Sequence, residues 1–212
     1  MKKLDRSLAT SPECLGTLCH TADSWSSSKL KKSEIWSEFN KFQDKFCVYC
    51  ESRACQNDGS GHIEHFFNKK TYKSKTFVWN NLFGCCESRN HCGHYKDQIL
   101  QGGHPRAYDS NLLLKPDEDD PEDYIQFLIG GKVEPKEGLV SPDLDKAIET
   151  IKALCLNHSS LISARKNQIT LFSQQMLSLN GLEDDIFKIE LDLIERGAEN
   201  EPHRTAIKQV LF

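Results

Sequence analysis

The chain has 212 residues, 38% of them hydrophobic and 27% charged, with a formal net charge of −4. That length can bury the core of one domain, or of a domain with a sub-domain. No apolar run approaches the length needed to cross a bilayer. The opening MKKLDRSLATSPECLG has two lysines and no apolar stretch behind them, unlike a signal peptide, so a cytoplasmic location is expected.

The net charge hides an asymmetry. Residues 29–106 carry 13 Lys/Arg against 8 Asp/Glu, while residues 107–212 carry 11 against 20. The first stretch also holds six of the nine cysteines. A basic, cysteine-rich segment inside an acidic protein suits a local nucleic-acid footprint, because phosphate binding depends on the field at the site.

In chain order, residues 1–28 have mixed composition, end in the polar run SWSSSK, and read as an extended arm. From Ser33 to Phe46, Trp36, Phe39, Phe42 and Phe46 recur at helical spacing, with Ser33 as N-cap. Residues 47–61 contain a knuckle turn and the loop QNDGSG. HIEHFF alternates as a short strand, the apolar run TFVWNNLF follows the lysine-bearing NKKTYKSK, and GHYKDQIL can begin a helix. The local order is therefore ββα.

Beyond Gly103, the runs LLL, YIQFLI and KV, bounded by Pro, Asp and Gly, suggest short strands and turns. The acidic run DEDDPED reads as a solvated loop. Leu144, Ile148, Ile151 and Cys155 share one helical face, with Pro142 near the start. Residues 159–196 continue as helix with a break near LNGLEDD, and HRTAIKQVLF closes the chain.

The chemistry lies in the middle. Tetrahedral zinc takes four Cys or His ligands, usually as two short-range pairs. Cys47–x2–Cys50 is one pair, and the second must come from Cys85, Cys86, His91, Cys92 and His94. Cys86 and Cys92 are preferred, because Cys92 can sit at the turn into the helix. The remaining cysteines Cys14, Cys19, Cys55 and Cys155 lie outside ligand spacing. Between the two halves of this knuckle stand Glu64 and His65, which leave opposite strand faces unless the strand bends. In a curved hairpin both can border one cleft, a carboxylate holding a metal and an imidazole beside it. Phosphodiester hydrolysis needs that division: histidine deprotonates water, and a divalent cation stabilises charge on the phosphate. Asn81, on the facing segment, is placed to orient the imidazole. Lys69, Lys70, Lys73 and Lys75 would contact backbone phosphates, giving affinity without sequence readout.

The pattern C-x2-C … IEHF … WNNLFGCC … C-G-H-Y-K resembles the HNH endonucleases of the ββα-metal superfamily in their cysteine-knuckle form. GHIEHF, WNNLFG, NLLLKPDEDDPEDYIQFL and TAIKQVLF are similar, more narrowly, to the PtuB-type HNH proteins of Septu-like and retron anti-phage systems. The resemblance implies an α+β fold. Its ββα-metal core carries a structural zinc knuckle (Cys47, Cys50, Cys86, Cys92), flanked by an N-terminal helix and a mostly helical C-terminal half. Residues 1–30 would be an arm, 31–106 the nuclease core, and 107–212 short strands followed by helices. By position, His65 matches the general base, Glu64 the acidic residue before it and Asn81 the central asparagine. The third position departs: Gly93 stands where the pattern has asparagine, so His94, ahead of Asn90 and His91, is the expected replacement ligand. His62, on the strand face of Glu64, joins the expected site of a Mg²⁺ or other divalent ion. The resemblance also implies a PtuA-type ATPase partner and, in retron versions, a reverse transcriptase with its DNA–RNA product. The acidic C-terminal half, with few chemically distinctive residues, is the candidate surface for docking the ATPase. The rival readings are a non-catalytic zinc-knuckle binding module, which has no use for Glu64, His65 and Asn81, and a thiol redox protein using Cys47 and Cys50.

Overall fold

The computed structural model describes residues 1–212. Strand β1 (Gly61–His65) pairs antiparallel with β2 (Leu82–Cys86), in a register that sets Gly61 opposite Cys86 and His65 opposite Leu82. A second two-stranded antiparallel sheet joins β3 (Ile125–Phe127) to β4 (Val133–Pro135). The helices are α1 (Glu13–Gly16), α2 (Lys32–Phe39), α3 (Cys92–Lys96), α4 (Asp143–Ala153), α5 (Ser159–Leu177), α6 (Asp184–Ala198) and α7 (Arg204–Leu211). No helix is long and apolar enough to cross a membrane.

Helix α2 is shorter than the aromatic spacing predicts. Its cap residue is Lys31, without a side-chain hydrogen bond, and Ser33 lies inside the first turn. The helix stops at Phe39 because Gln43 is needed elsewhere: its amide donates to Gly84 O and accepts from Gly84 N, both at 2.9 Å. Asp44 and Lys45 then take left-handed backbone angles that turn the chain into the knuckle. Trp36 lies across β1 and β2 where both are glycine. A Cβ at Gly61 would sit 2.7 Å from the indole and one at Gly84 2.9 Å, so only glycine lets the ring pack this close.

Residues 1–30 are not an extended arm. Met1, Leu4, Cys14, Leu15 and Leu30 are buried, and the Arg6 guanidinium lies 4.4 Å from the Phe83 ring centre while pairing with Asp117. Trp25 sets its ring edge-on to His65 at 4.3 Å. Apolar side chains this close to the β1–β2 sheet bury more favourably than they remain solvated.

The acidic run is likewise folded, not merely solvated. Asp117 is buried between Arg6 and Lys115, Asp119 pairs with Lys146, and Asp120 caps the turn at Glu122. On α4 the buried positions are Ala147, Thr150 and Ala153, whereas Ile148 is exposed. Small residues win that face because Thr150 Oγ1 accepts from Leu114 N at 2.8 Å, which requires close approach of the helix to the preceding loop. The break after α5 falls where LNGLEDD places it.

The main apolar cluster contains 34 buried residues and runs from Met1 to Ala206. The C-terminal half therefore shares its core with the cysteine region. Helix α7 makes this concrete: Thr205 Oγ1 and N donate to the buried Glu51 carboxylate at 2.6 and 3.1 Å. His203 Nδ1 donates to Cys50 O at 2.7 Å. The end of the chain braces the turn that carries the first cysteine pair.

Candidate active site and metal centres

The knuckle turn is made by local backbone bonds. Glu51 N donates to Cys47 O at 3.0 Å, and Ser52 N points at Cys50 Sγ from 3.5 Å. Cys92 enters α3 in a left-handed conformation, its N–H donating to Leu154 O at 2.8 Å. These two turns bring the buried sulfurs of Cys47, Cys50, Cys86 and Cys92 within 4.8 Å of one another. Cys50 and Cys86 sulfurs are 3.7 Å apart. A tetrahedron of Zn–S bonds of about 2.3 Å has edges of roughly 3.8 Å, so the set fits zinc. Burial opposes charge on Cys50, but hydrogen bonds from Cys47, Cys86, Cys92 and His91 overcome it and hold this thiol well below its usual value. His91 Nδ1 lies 3.2 Å from Cys92 Sγ, beside the cluster. Cys85 also touches it, 3.6 Å from Cys47 Sγ, while accepting the Gly93 N–H at 3.5 Å.

Next to the knuckle is a cleft of about 370 Å³ lined by His62, Glu64, His65, Lys69, Lys70, His94 and Asp97, among others. Glu64 and His65 share it because His65 is the last residue of β1. The His65 ring is fixed by Thr76 O, 3.0 Å from Nε2. A carbonyl only accepts, so Nε2 carries the proton and Nδ1 keeps the lone pair. Burial, with the Lys69 charge second, pushes the His65 pKa down to about 4, against the opposing pull of Glu64. The imidazole is neutral at pH 7.

Asn81 does not orient this ring. Its amide accepts from Phe67 N at 2.7 Å and donates to Phe67 O and Lys75 O at 3.0 Å, tying the lysine loop to the sheet. The orienting acceptor is the Thr76 backbone, which no side-chain pattern reveals.

Glu64 sits in a buried ionic knot. Lys96, fully buried, places Nζ 3.0 Å from Glu64 Oε1 and 3.0 Å from Asp97 Oδ1. It also donates to His65 O and Phe66 O at 3.2 and 3.1 Å, with Tyr108 Oη at 3.3 Å. Burial alone would raise the Glu64 pKa, but the Lys96 ammonium brings it down to about 2. Asp97 is raised by burial and by the Glu64 charge, which Lys96 only partly offsets. Gly93 completes the arrangement: a Cβ there would collide with Glu64 Oε2. Any side chain at this position would displace the carboxylate.

The other expected ligands divide. His62 and His94 meet, stacked at 3.8 Å between ring centres. Glu87, not foreseen, joins them with Oε2 3.0 Å from His94 Nε2. Asn90 is exposed, its N–H turned back to Ser88, and it does not line the cleft. Of the lysines, Lys69 and Lys70 border the cleft, whereas Lys75 packs its ammonium 3.4 Å over the Phe67 ring and Lys73 lies outside. Cys14, Cys19, Cys55 and Cys155 belong to neither cluster.

Fold and site thus define a mixed α/β protein with small sheets, several helices and a buried four-cysteine cluster compatible with zinc. No family model matches the chain. It is 28% identical over 155 residues to the Septu protein PtuB of Bacillus mycoides (strain KBAB4). The match covers 64% of this chain and half the length of that protein.

Proposed function

We propose that the chain is a metal-dependent HNH-type endonuclease that hydrolyses phosphodiester bonds as the effector of a Septu-like anti-phage system. The observation that carries this reading is His65. It is a neutral imidazole with Nε2–H anchored on Thr76 and Nδ1 free, in a lysine-edged cleft beside the cysteine cluster. Such a nitrogen can take a proton from water, while Lys69 and Lys70 hold the flanking phosphates. The order β1–β2–α3 around the cluster supports the ββα-metal reading, and zinc in the cluster would hold the strands and helix together. His62 and His94 stand where a divalent cation would be held; when bound, it stabilises negative charge on the phosphate and leaving oxygen. Similarity to a Septu protein favours a PtuA-type ATPase partner over the reverse transcriptase of a retron. Exposed Ile186, Ile189 and Leu193 on α6 offer that partner an apolar face.

The test compares wild type with His65→Ala in cells carrying the complete system and challenged by phage, sequencing nucleic-acid ends. A general base contributes about 10²–10⁴-fold, so cleavage and protection should both collapse while the variant keeps its zinc. A His65→Ala protein that cuts and protects like wild type would leave the non-catalytic binding module as the better account.

A further inference from the structure

We infer that Trp25 is a stacking platform for an unpaired nucleobase beside His65, so that the cleft takes single-stranded nucleic acid in preference to a duplex. The inference rests on the reading that this cleft receives a nucleic-acid backbone, and it names the substrate class of that site. Trp25 stands in the run TADSWSSSK, where Ser27 N donates to Ser24 O at 2.9 Å and Leu30 N to Ser27 O at 3.1 Å. Ser24, Ser26 and Ser28 are exposed, so the chain turns at the surface and the indole alone reaches inward. Two rings fix its plane. His65 meets it at 72° with 4.3 Å between centres, and Phe77 lies nearly parallel, at 21° and 6.0 Å. The indole stays only half-buried. Core packing accounts for the covered part, and the remainder is an oriented aromatic surface one ring away from the imidazole.

The charges around the ring are a second, independent observation. Lys32 and Lys69 hold their ammonium groups 6.0 and 5.6 Å from the Trp25 ring centre. That is the outer limit of a cation–π contact. It is far looser than the 3.4 Å of Lys75 over Phe67, so neither lysine covers the indole. Nearby Lys29 and Lys31 are paired with Asp23 and Glu34, whereas Lys32 and Lys69 have no carboxylate partner. Two unpaired cations flanking a fixed aromatic ring are the parts of a single-strand binder: the ring takes the face of a base and the cations take phosphates on either side. Lys69 also lines the cleft, which joins the platform to His65.

The ring decides the class of substrate. In a duplex both faces of each base are stacked on its neighbours, so only an unpaired or extruded nucleotide offers a face to the indole. The cleft of about 370 Å³ has the volume of a small-ligand pocket, which suits one nucleotide at a time. Stacking is indifferent to base identity, so the preference is for unpaired structure and carries no sequence readout.

The zinc-loaded full-length chain, with no other divalent ion added so that nothing is cut, is titrated with labelled single strands of about 12 nucleotides, DNA and RNA, and with the matching duplexes. Binding is followed by fluorescence anisotropy. At least one single strand should bind about tenfold or more tightly than its duplex. Trp25→Leu should weaken that strand by about five- to 150-fold, Trp25→Phe should recover part of the loss, and neither should change duplex binding. One abasic position in the strand should weaken wild type by a similar factor and leave Trp25→Leu unaffected. Lys32→Gln should lower the log–log salt slope for the single strand by about 0.7. A merely structural tryptophan would lower single-strand and duplex binding alike, and that result overturns the proposal. So does a duplex bound as tightly as either single strand, undiminished binding by Trp25→Leu, or indifference of wild type to an abasic nucleotide at every position. Should Trp25→Leu fail to fold, the abasic series on wild type decides alone. Binding is read without cleavage, so a His65→Ala protein that still cuts would remove the nuclease mechanism and leave this result standing.

Discussion

Replacing Lys96 with methionine removes one positive charge from a place with no solvent. The ammonium is wholly buried, Glu64 is 4% exposed, and Asp97 is 25% exposed. In Lys96→Met two neighbouring carboxylates lose their shared counter-ion, and His65 O and Phe66 O lose a donor. Breaking a buried pair by deleting one partner costs about 3–5 kcal/mol, because the remaining charge stays desolvated. For a chain of this length, each kcal/mol moves the thermal midpoint by about 2–4 °C, so the variant should melt roughly 6–20 °C lower. Removing the stranded charge as well, in Glu64→Gln/Lys96→Met, should restore at least about 1.5 kcal/mol of that loss. The assay is thermal unfolding of zinc-loaded protein followed by the fluorescence of Trp25, Trp36 and Trp79. Lys96→Met within about 1 kcal/mol of wild type, or a double variant no more stable than the single, would refute the ionic knot as a structural element. Should the single variant fail to fold, a folded double variant still supports it.

Zinc analysis tests the ligand set: Cys47→Ser and Cys86→Ser should lose the roughly one zinc per chain and much of the fold, whereas Cys85→Ser should keep both. Stability should fall continuously on acidification. His65, depressed from 6.5 to about 4, makes the unfolded state bind more protons between those values, and Glu64, depressed from 4.5 to about 2, does so at lower pH. His65→Ala should flatten the upper part of the urea-midpoint profile by roughly 3 kcal/mol relative to wild type, and a parallel profile would contradict a buried neutral imidazole. Asn81→Ala should cost about 2–3 kcal/mol, since it leaves Phe67 and Lys75 backbone groups without partners, and should speed amide exchange across residues 67–76. Normal exchange there would mean the loop is held by something else.

What the sequence determined by itself is the part of this protein whose physics is local. Two cysteines separated by two residues form a knuckle turn within one short stretch, and Glu64–His65 on a short strand between the cysteine pairs needs no distant information to be noticed. Helix periodicity placed α5 and α6 with their break, because a 3.6-residue repeat shows in any window. Only the tertiary structure decided the partners. Thr76 presents a backbone carbonyl, which has no letter in the sequence, and so His65 is oriented by it while Asn81 secures the loop. Lys96 reaches Glu64 across 32 positions and turns an expected metal ligand into half of an ion pair. Glu87 becomes a neighbour of His62 because the hairpin folds β2 back along β1, and His203 and Thr205 brace the Cys50–Glu51 turn from more than 150 residues away. Charge, burial and hydrogen-bond satisfaction are set by distances in space; the sequence supplies the groups, and the packed core chooses which of them meet.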